Sequence, residues 1–168
     1  MKKQCMVLLV ENNAGVLTRV SSLFMHRGFN IDSLTVSSTE NPKISRITIV
    51  TTGDQKNFNQ ILKQTDKLVE TKMIFSVESE FSLIRELLLV KFSTLTEDPD
   101  DVDALKHVIE SYGASVIDVS NGCFVVELSA TSQKIDEFLD ATKEYEKIEM
   151  CRSGAIAMER GAVSYDIG

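Results

Sequence analysis

A chain of 168 residues with 43% apolar side chains can build one ordinary domain or two small ones, and is too apolar for a disordered segment. A net charge of −7 argues against nucleic acid as a partner, because phosphate binding needs clustered Lys and Arg. No apolar stretch approaches the roughly 20 residues of a membrane-spanning helix. The opening MKKQCMVLLVENN has a short apolar run that ends at Glu11 with no small-residue cleavage site, so it reads as a first strand and the protein as cytoplasmic. Residues 1–80 carry 10 basic and 8 acidic side chains, net +2, and residues 81–168 carry 8 and 17, net −9. That asymmetry suggests two domains with different surfaces.

In chain order, QCMVLLV (4–10) suits a buried strand. Val16, Leu17, Val20, Leu23 and Phe24 then make one helical face, and Gly28 supplies a left-handed C-terminal cap. NIDSLTVSST and ISRITIVTT alternate imperfectly and read as two strands around an ENP turn at 40–42. A helix capped by Asp54 carries Phe58, Ile61, Leu62 and Leu68, and LVETKMIFSVE (68–78) is a fourth strand. The order β-α-β-β-α-β then recurs. ELLLVKFS (86–93) is a strand, followed by a helix with Asp98 as N-cap and Pro99 at its first position. That helix turns Val102, Leu105, Val108, Ile109 and Tyr112 to one side. ASVIDVS and CFVVELS flank an Asn121-Gly122 hairpin turn, and SQKIDEFLDATKEY is a helix with Ile135, Phe138 and Leu139 inward. KIEMCRSGAIAMER (147–160) closes as an extended segment kinked at Gly154.

The fold class is therefore α+β: two ferredoxin-like βαββαβ domains, each an antiparallel sheet with helices on one face. The divisions read from the sequence are 1–78, a linker at 79–85, a second domain at 86–161 and a tail at 162–168. Units this small leave edges and a sheet face to cover, so an oligomer is expected.

Catalytic chemistry finds little support. His26 and His107 lie within helices without a nearby acid at useful spacing, and read as solvated or interfacial. No GxSxG, HExxH, GxxxxGK[ST] or GxGxxG motif is present. Cys5, Cys123 and Cys151 form no CxxC pair and read as small buried hydrophobes. The acidic run Glu97, Asp98, Asp100, Asp101 and Asp103 lacks EF-hand spacing and is better explained as a helix cap and first turn. The third strand has no aromatic on which RNA bases could stack. The turn ENNAGVL remains: Asn12, Asn13 and Gly15 precede a helix whose first N–H groups have no intrahelical acceptor. Such a terminus either caps a helix or attracts an anion such as an amino-acid carboxylate.

The segment VLLVENNAGVLTRVSSLFMHRGFNIDSLTVSSTENPKISRITIVTTGD resembles the N-terminal ACT domain of the regulatory (small) subunits of acetohydroxyacid synthase, also called acetolactate synthase. RGFNIDSLTV and SRITIV carry the resemblance beyond a general ACT pattern, and RELLLVKF, VIDVS and CRSGAIAMERG resemble the family's C-terminal domain, so that roughly 5–161 is covered. The resemblance implies a non-catalytic homodimer, paired through ACT domains, that activates a catalytic large subunit and confers feedback inhibition by valine or another branched-chain amino acid. Thiamine diphosphate, magnesium and FAD would belong to that partner, with no cofactor on this chain. Asn12, Gly15, Val16 and Leu17 would face the effector's polar end from one protomer, with Asn30 and Ile31 supplied by the other. The chain departs from the family at Ala14, where serine or proline is usual, and at Gly113, which follows Tyr112 where relatives carry an arginine. The alternative is a stand-alone ACT-type amino-acid sensor acting on another partner.

Overall fold

The computed structural model describes residues 2–78, 80–95 and 99–162. The first repeat is β1 (Lys2–Glu11), α1 (Val16–His26), β2 (Ile31–Ser38), β3 (Ile44–Gly53), α2 (Gln55–Thr65) and β4 (Thr71–Val77). The second is β5 (Ser82–Ser93), α3 (Pro99–Ser111), β6 (Ser115–Ser120), β7 (Cys123–Ala130), α4 (Ser132–Ala141) and β8 (Lys147–Arg152), followed by a short β9 (Ile156–Glu159). Both are ferredoxin-like βαββαβ arrangements, with sheet orders β2-β3-β1-β4 and β6-β7-β5-β8. Every strand pair in these two orders is antiparallel.

Local chemistry sets the element ends. Gly28 (φ 69°) closes α1 in a Schellman motif: its N–H donates to Met25 O at 3.1 Å, and Phe29 N–H to Phe24 O at 3.0 Å. Gly113 (φ 69°) repeats this at α3, with Ala114 N–H donating to Ile109 O at 3.0 Å. Asp54 caps α2 by accepting from Asn57 N–H at 2.8 Å. That helix stops at Thr65, whose carbonyl accepts the Thr71 hydroxyl at 2.9 Å. Leu68, expected on the helix, therefore lies beyond it, although it still packs on the core. Asn121 and Gly122 both have positive φ, 50° and 73°, as a two-residue hairpin with primed geometry requires. Asp98, expected to cap α3, falls outside the described residues, as do Glu97 and the tail beyond Ala162.

The chain divides into two compact units, residues 1–84 with 154–168 and residues 85–153. In the first, Met6, Leu8 and Val10 of β1 and Ile47 and Ile49 of β3 pack beneath Val16, Val20 and Phe24 of α1 and Phe58 and Ile61 of α2. β1 is buried on both faces, so it reads as an unbroken apolar run instead of an alternation. Cys5 and Val7, on the face away from the helices, cluster with Ala157, flanked by Val50, Phe75 and Val77. In the second unit, Leu88, Val90, Phe92, Phe124, Val126 and Leu128 pack beneath Leu105, Ile109, Ile135 and Phe138.

Three details differ from the sequence reading. Residues 82–85, expected in a linker, begin the long strand β5. Residues 147–160, expected as one kinked segment, are two strands, and 154–159 belong to the first unit, where β9 pairs with β5. Of the cysteines, only Cys5 is buried; Cys123 is half-buried and Cys151 is exposed, because β8 is an edge strand with most of its side chains toward solvent.

Candidate functional site

The turn between β1 and α1 is held by its main chain. Asn12 N–H donates to Lys43 O at 2.7 Å, and Asn12 Nδ2 donates to Pro42 O at 3.0 Å, which ties the end of β1 to the β2–β3 loop. Asn13 Nδ2 donates to Glu11 Oε2 at 3.0 Å, while Lys72 Nζ donates to Glu11 Oε1 at 2.5 Å. Gly15 then enters the helix in the left-handed region at φ 86°, a conformation that β-carbon sterics disfavour for other residues. Its carbonyl accepts from Arg19 N–H at 3.1 Å, but it has no side chain with which to cap the helix. The N–H groups of Leu17 and Thr18 thus point out of the first turn without an intrahelical acceptor, at the positive end of the α1 dipole. A side chain at Gly15 would meet nothing within 4 Å. The ground in front of this helix start is open.

Of the apolar residues expected here, Val16 is 4% exposed and its side chain belongs to the core, so only its main chain reaches the turn surface. Leu17, one residue on, is 42% exposed and lies off the buried stripe of Val16, Val20 and Phe24. A cavity of about 700 Å³ borders the turn on the side of Glu11, Asn12, Asn13, Lys43 and Lys72.

Asn30 and Ile31 lie at the other end of α1. Ile31 is opposite Thr51 on β3, which is opposite Gln4 on β1, whereas the turn follows Glu11, opposite Ile44. Seven residues of strand separate those rows, about 23 Å. The 11 residues of α1 span about 16 Å between the same two ends. One copy of the chain therefore does not bring Asn30 and Ile31 to the turn.

The far end has organisation that the sequence did not disclose. The buried Thr51 hydroxyl donates to Asn30 O at 2.6 Å. Asn30 Nδ2 donates to Asp32 Oδ1 at 3.3 Å, and the Thr52 hydroxyl donates to Asp32 Oδ2 at 2.6 Å. With its amide nitrogen turned to Asp32, Asn30 is left with its oxygen to offer a donor. Thr51, Thr52 and Asp32 hold this residue; the broken alternation of NIDSLTV was the one sequence signal for Asp32, and the two threonines gave none. Both histidines, His26 and His107, are exposed. No cluster of three or more metal-ligating side chains occurs among the described residues, and no helix among them is long and apolar enough to cross a membrane.

A βαββαβ unit with this strand order is a domain of the ACT type. Residues 6–72 match the family described as AHAS small subunit-like ACT domain, and residues 85–161 match the family described as small subunit of acetolactate synthase. The probable acetolactate synthase small subunit of Archaeoglobus fulgidus is 40% identical over 95% of this chain and 98% of its own. The acetolactate synthase isozyme 3 small subunit of Escherichia coli is 39% identical over 95% and 96%. The crystal structure of the acetolactate synthase small subunit from Thermotoga maritima superposes with a TM-score of 0.82 at 34% identity, covering 97% of this chain and all of that one. The chain belongs to the acetolactate synthase small-subunit family.

Proposed function

We propose that this chain is the non-catalytic regulatory subunit of an acetolactate synthase in the cytoplasm, that it activates the catalytic large subunit, and that it lowers that activity when valine binds. The chemistry of turnover, with thiamine diphosphate, magnesium and FAD, belongs to the large subunit. Two copies pair through their first units, so that the turn of one meets Asn30 and Ile31 of the other, giving two equivalent sites related by a two-fold axis.

The observation that carries this reading is the separation of the two half-sites by the length of α1, with complementary chemistry at each end. The Leu17 and Thr18 N–H groups receive the effector's carboxylate, helped by the helix dipole. The Asn30 amide oxygen receives the ammonium, and Leu17 and Ile31 supply apolar surface for a branched side chain. Discrimination among valine, leucine and isoleucine then rests on about one methylene, worth roughly 1–3 kcal/mol.

The test combines calorimetric titration of the purified chain with each of the three amino acids and an acetolactate assay of the large subunit with and without it. The expected result is one saturable site per chain, ranked in favour of valine, and an activity that rises with the chain and falls with the effector. A chain that neither co-purifies with the large subunit nor changes its rate would overturn the regulatory assignment and leave a sensor for another partner.

A further inference from the structure

The segment Gly154–Glu159 lies against the sheet that carries the proposed effector residues. Ala157 sits on the face of that sheet opposite the helices, beside Cys5 and Val7. Its carbonyl accepts from the Arg46 guanidinium at 2.6 Å, and that guanidinium also lies 5.7 Å from the Phe75 ring centre. Two residues earlier, Ala155, 1% exposed, donates its N–H to Ser33 Oγ at 3.0 Å. Gly154 packs so closely on β2 that an added β-carbon would run into Thr35 Oγ1 and stand 3.0 Å from Leu34 O.

These contacts fall beside a β-bulge. Ile31 is opposite Thr51 and Ser33 is opposite Val50, so Asp32 is an extra residue with no opposite residue in the β2–β3 register. A bulge disrupts the ladder locally and re-aims the side chains around it. Ile31 and Leu34 both reach the helix-side core while Ser33 turns to the opposite face, where Ala155 meets it. The strand carrying Asn30 and Ile31 is therefore fixed by β3 on one side of the bulge, and by Gly154 and Ala155 immediately after it.

We propose that Ser33, with the Gly154–Ala157 segment docked on it, positions Asn30 and Ile31 for the effector, so that effector binding and the docking of this segment are coupled. The proposal rests on the placement of the effector half-site at Asn30 and Ile31. By reciprocity, an effector that tightens this end of β2 also tightens the segment, and loss of the segment's hold weakens the effector by the same factor.

The test uses the full chain, alone and reconstituted with the large subunit, and the variants Ser33→Ala, Ser33→Thr and Gly154→Ala. Ser33→Ala removes the hydroxyl that accepts from Ala155, and is expected to weaken valine binding about tenfold, in the lower part of the usual range of coupling between sites. Activation of the large subunit without valine stays unchanged, and Ser33→Thr, which keeps the hydroxyl, restores the affinity. Valine is expected to slow hydrogen exchange at the Ala155 amide of the unaltered chain and not of Ser33→Ala, a response that a merely structural serine would not give. Gly154→Ala should weaken valine more than Ser33→Ala does; if it fails to fold, the Ser33 pair and the exchange measurement decide. Valine affinity within twofold of the unaltered chain in Ser33→Ala, with no valine effect on Ala155 exchange, overturns the proposal. Gly15→Asp separates the two levels: if it abolishes binding while Ser33→Ala does not, only this inference fails. If Gly15→Asp binds valine normally, the half-site placement fails, and this inference with it.

Discussion

Gly15 separates a backbone effect from a charge effect, because a β-carbon there meets no atom within 4 Å in its own chain while its φ of 86° is one that other residues resist. Gly15→Ala therefore costs the strain of a left-handed residue, about 1–2 kcal/mol, with no clash added. For a unit of about 100 residues each kcal/mol lowers the melting temperature by about 4–8 °C. Gly15→Asp adds to this a carboxylate at the helix start where the effector's own carboxylate would lie. Two unit charges about 5 Å apart at an effective dielectric constant of about 20 repel by about 3 kcal/mol. At 1.4 kcal/mol per factor of ten, that weakens valine more than about 100-fold. The assays are calorimetric titration, inhibition of the reconstituted enzyme and thermal unfolding of both variants. The expected pattern is a smaller loss of melting temperature in the aspartate variant, whose carboxylate suits the helix start, modest loss of valine affinity in the alanine variant, and loss of feedback with retained activation in the aspartate variant. An aspartate variant inhibited at the unaltered chain's valine concentration refutes the placement. An alanine variant as unresponsive as the aspartate one refutes the charge argument.

Burial pushes the Cys5 thiol up to about 11, against the opposing pull of Arg46, so the folded state favours the neutral thiol. That stability is complete below the unfolded value near 9 and is lost as pH rises through about 11, so Cys5→Val should remove part of the alkaline fall in stability, on the order of 2–3 kcal/mol. A thiol reagent at pH 8 should modify exposed Cys151 in the native protein and reach Cys5 only on unfolding. Arg152 donates to Glu86 Oε2 and Asp136 Oδ1, each at 2.6 Å, and to Ser132 Oγ at 2.8 Å. Arg152→Ala strands the carboxylate of Glu86, which is 9% exposed, and should cost the second unit about 3 kcal/mol in urea unfolding; lysine, a point charge, should recover only part. Asp54→Ala should cost about 1 kcal/mol through the lost α2 cap, read as a lower urea midpoint with an unchanged slope.

The repeat was legible because periodicity and punctuation agreed: glycines at 28 and 113 end helices, and Asn121-Gly122 makes the hairpin the sequence calls for. The irregularities were visible but not interpretable. NIDSLTV breaks alternation because Asp32 is a bulge residue, and SVIDVS does so because the register skips Ile117 between Val116 and Asp118. The fourth strands share a second irregularity, with Lys72 skipped in β4 and Ile148 in β8. A bulge spends one residue with no change in composition, so a period count registers it only as noise. The destination of Gly154–Glu159 was hidden for another reason. Its partners Ser33, Arg46 and Cys5 lie more than 100 residues away, and AIAME has the apolar character of any strand. The candidate site was half legible: an Asn-rich, glycine-ended turn before a helix announces a free helix terminus, whereas the oriented amide of Asn30 depends on Thr51 and Thr52 arriving from another strand.

The length of α1 also bears on how such a site regulates. Because one chain would hold the two proposed half-sites about 23 Å apart, an amino acid that needs both would bind only a paired arrangement, and each pair would hold two sites. Ligand at 100 times its dissociation constant stabilises the state it binds by about 2.7 kcal/mol per site, hence about 5.4 kcal/mol for two. Moving an equilibrium from 1:99 to 99:1 needs about 5.5 kcal/mol. Two modest sites bound exclusively in one arrangement are thus enough to switch the pair, and a single site would fall short by half. The dose response should therefore be steeper than one-site binding, with a Hill coefficient between 1 and 2 for inhibition of the reconstituted enzyme (about 1.8 at this partition). A strictly hyperbolic inhibition curve, with both sites occupied by calorimetry, would mean that each site acts on its own catalytic neighbour and that the pair does not switch as a unit.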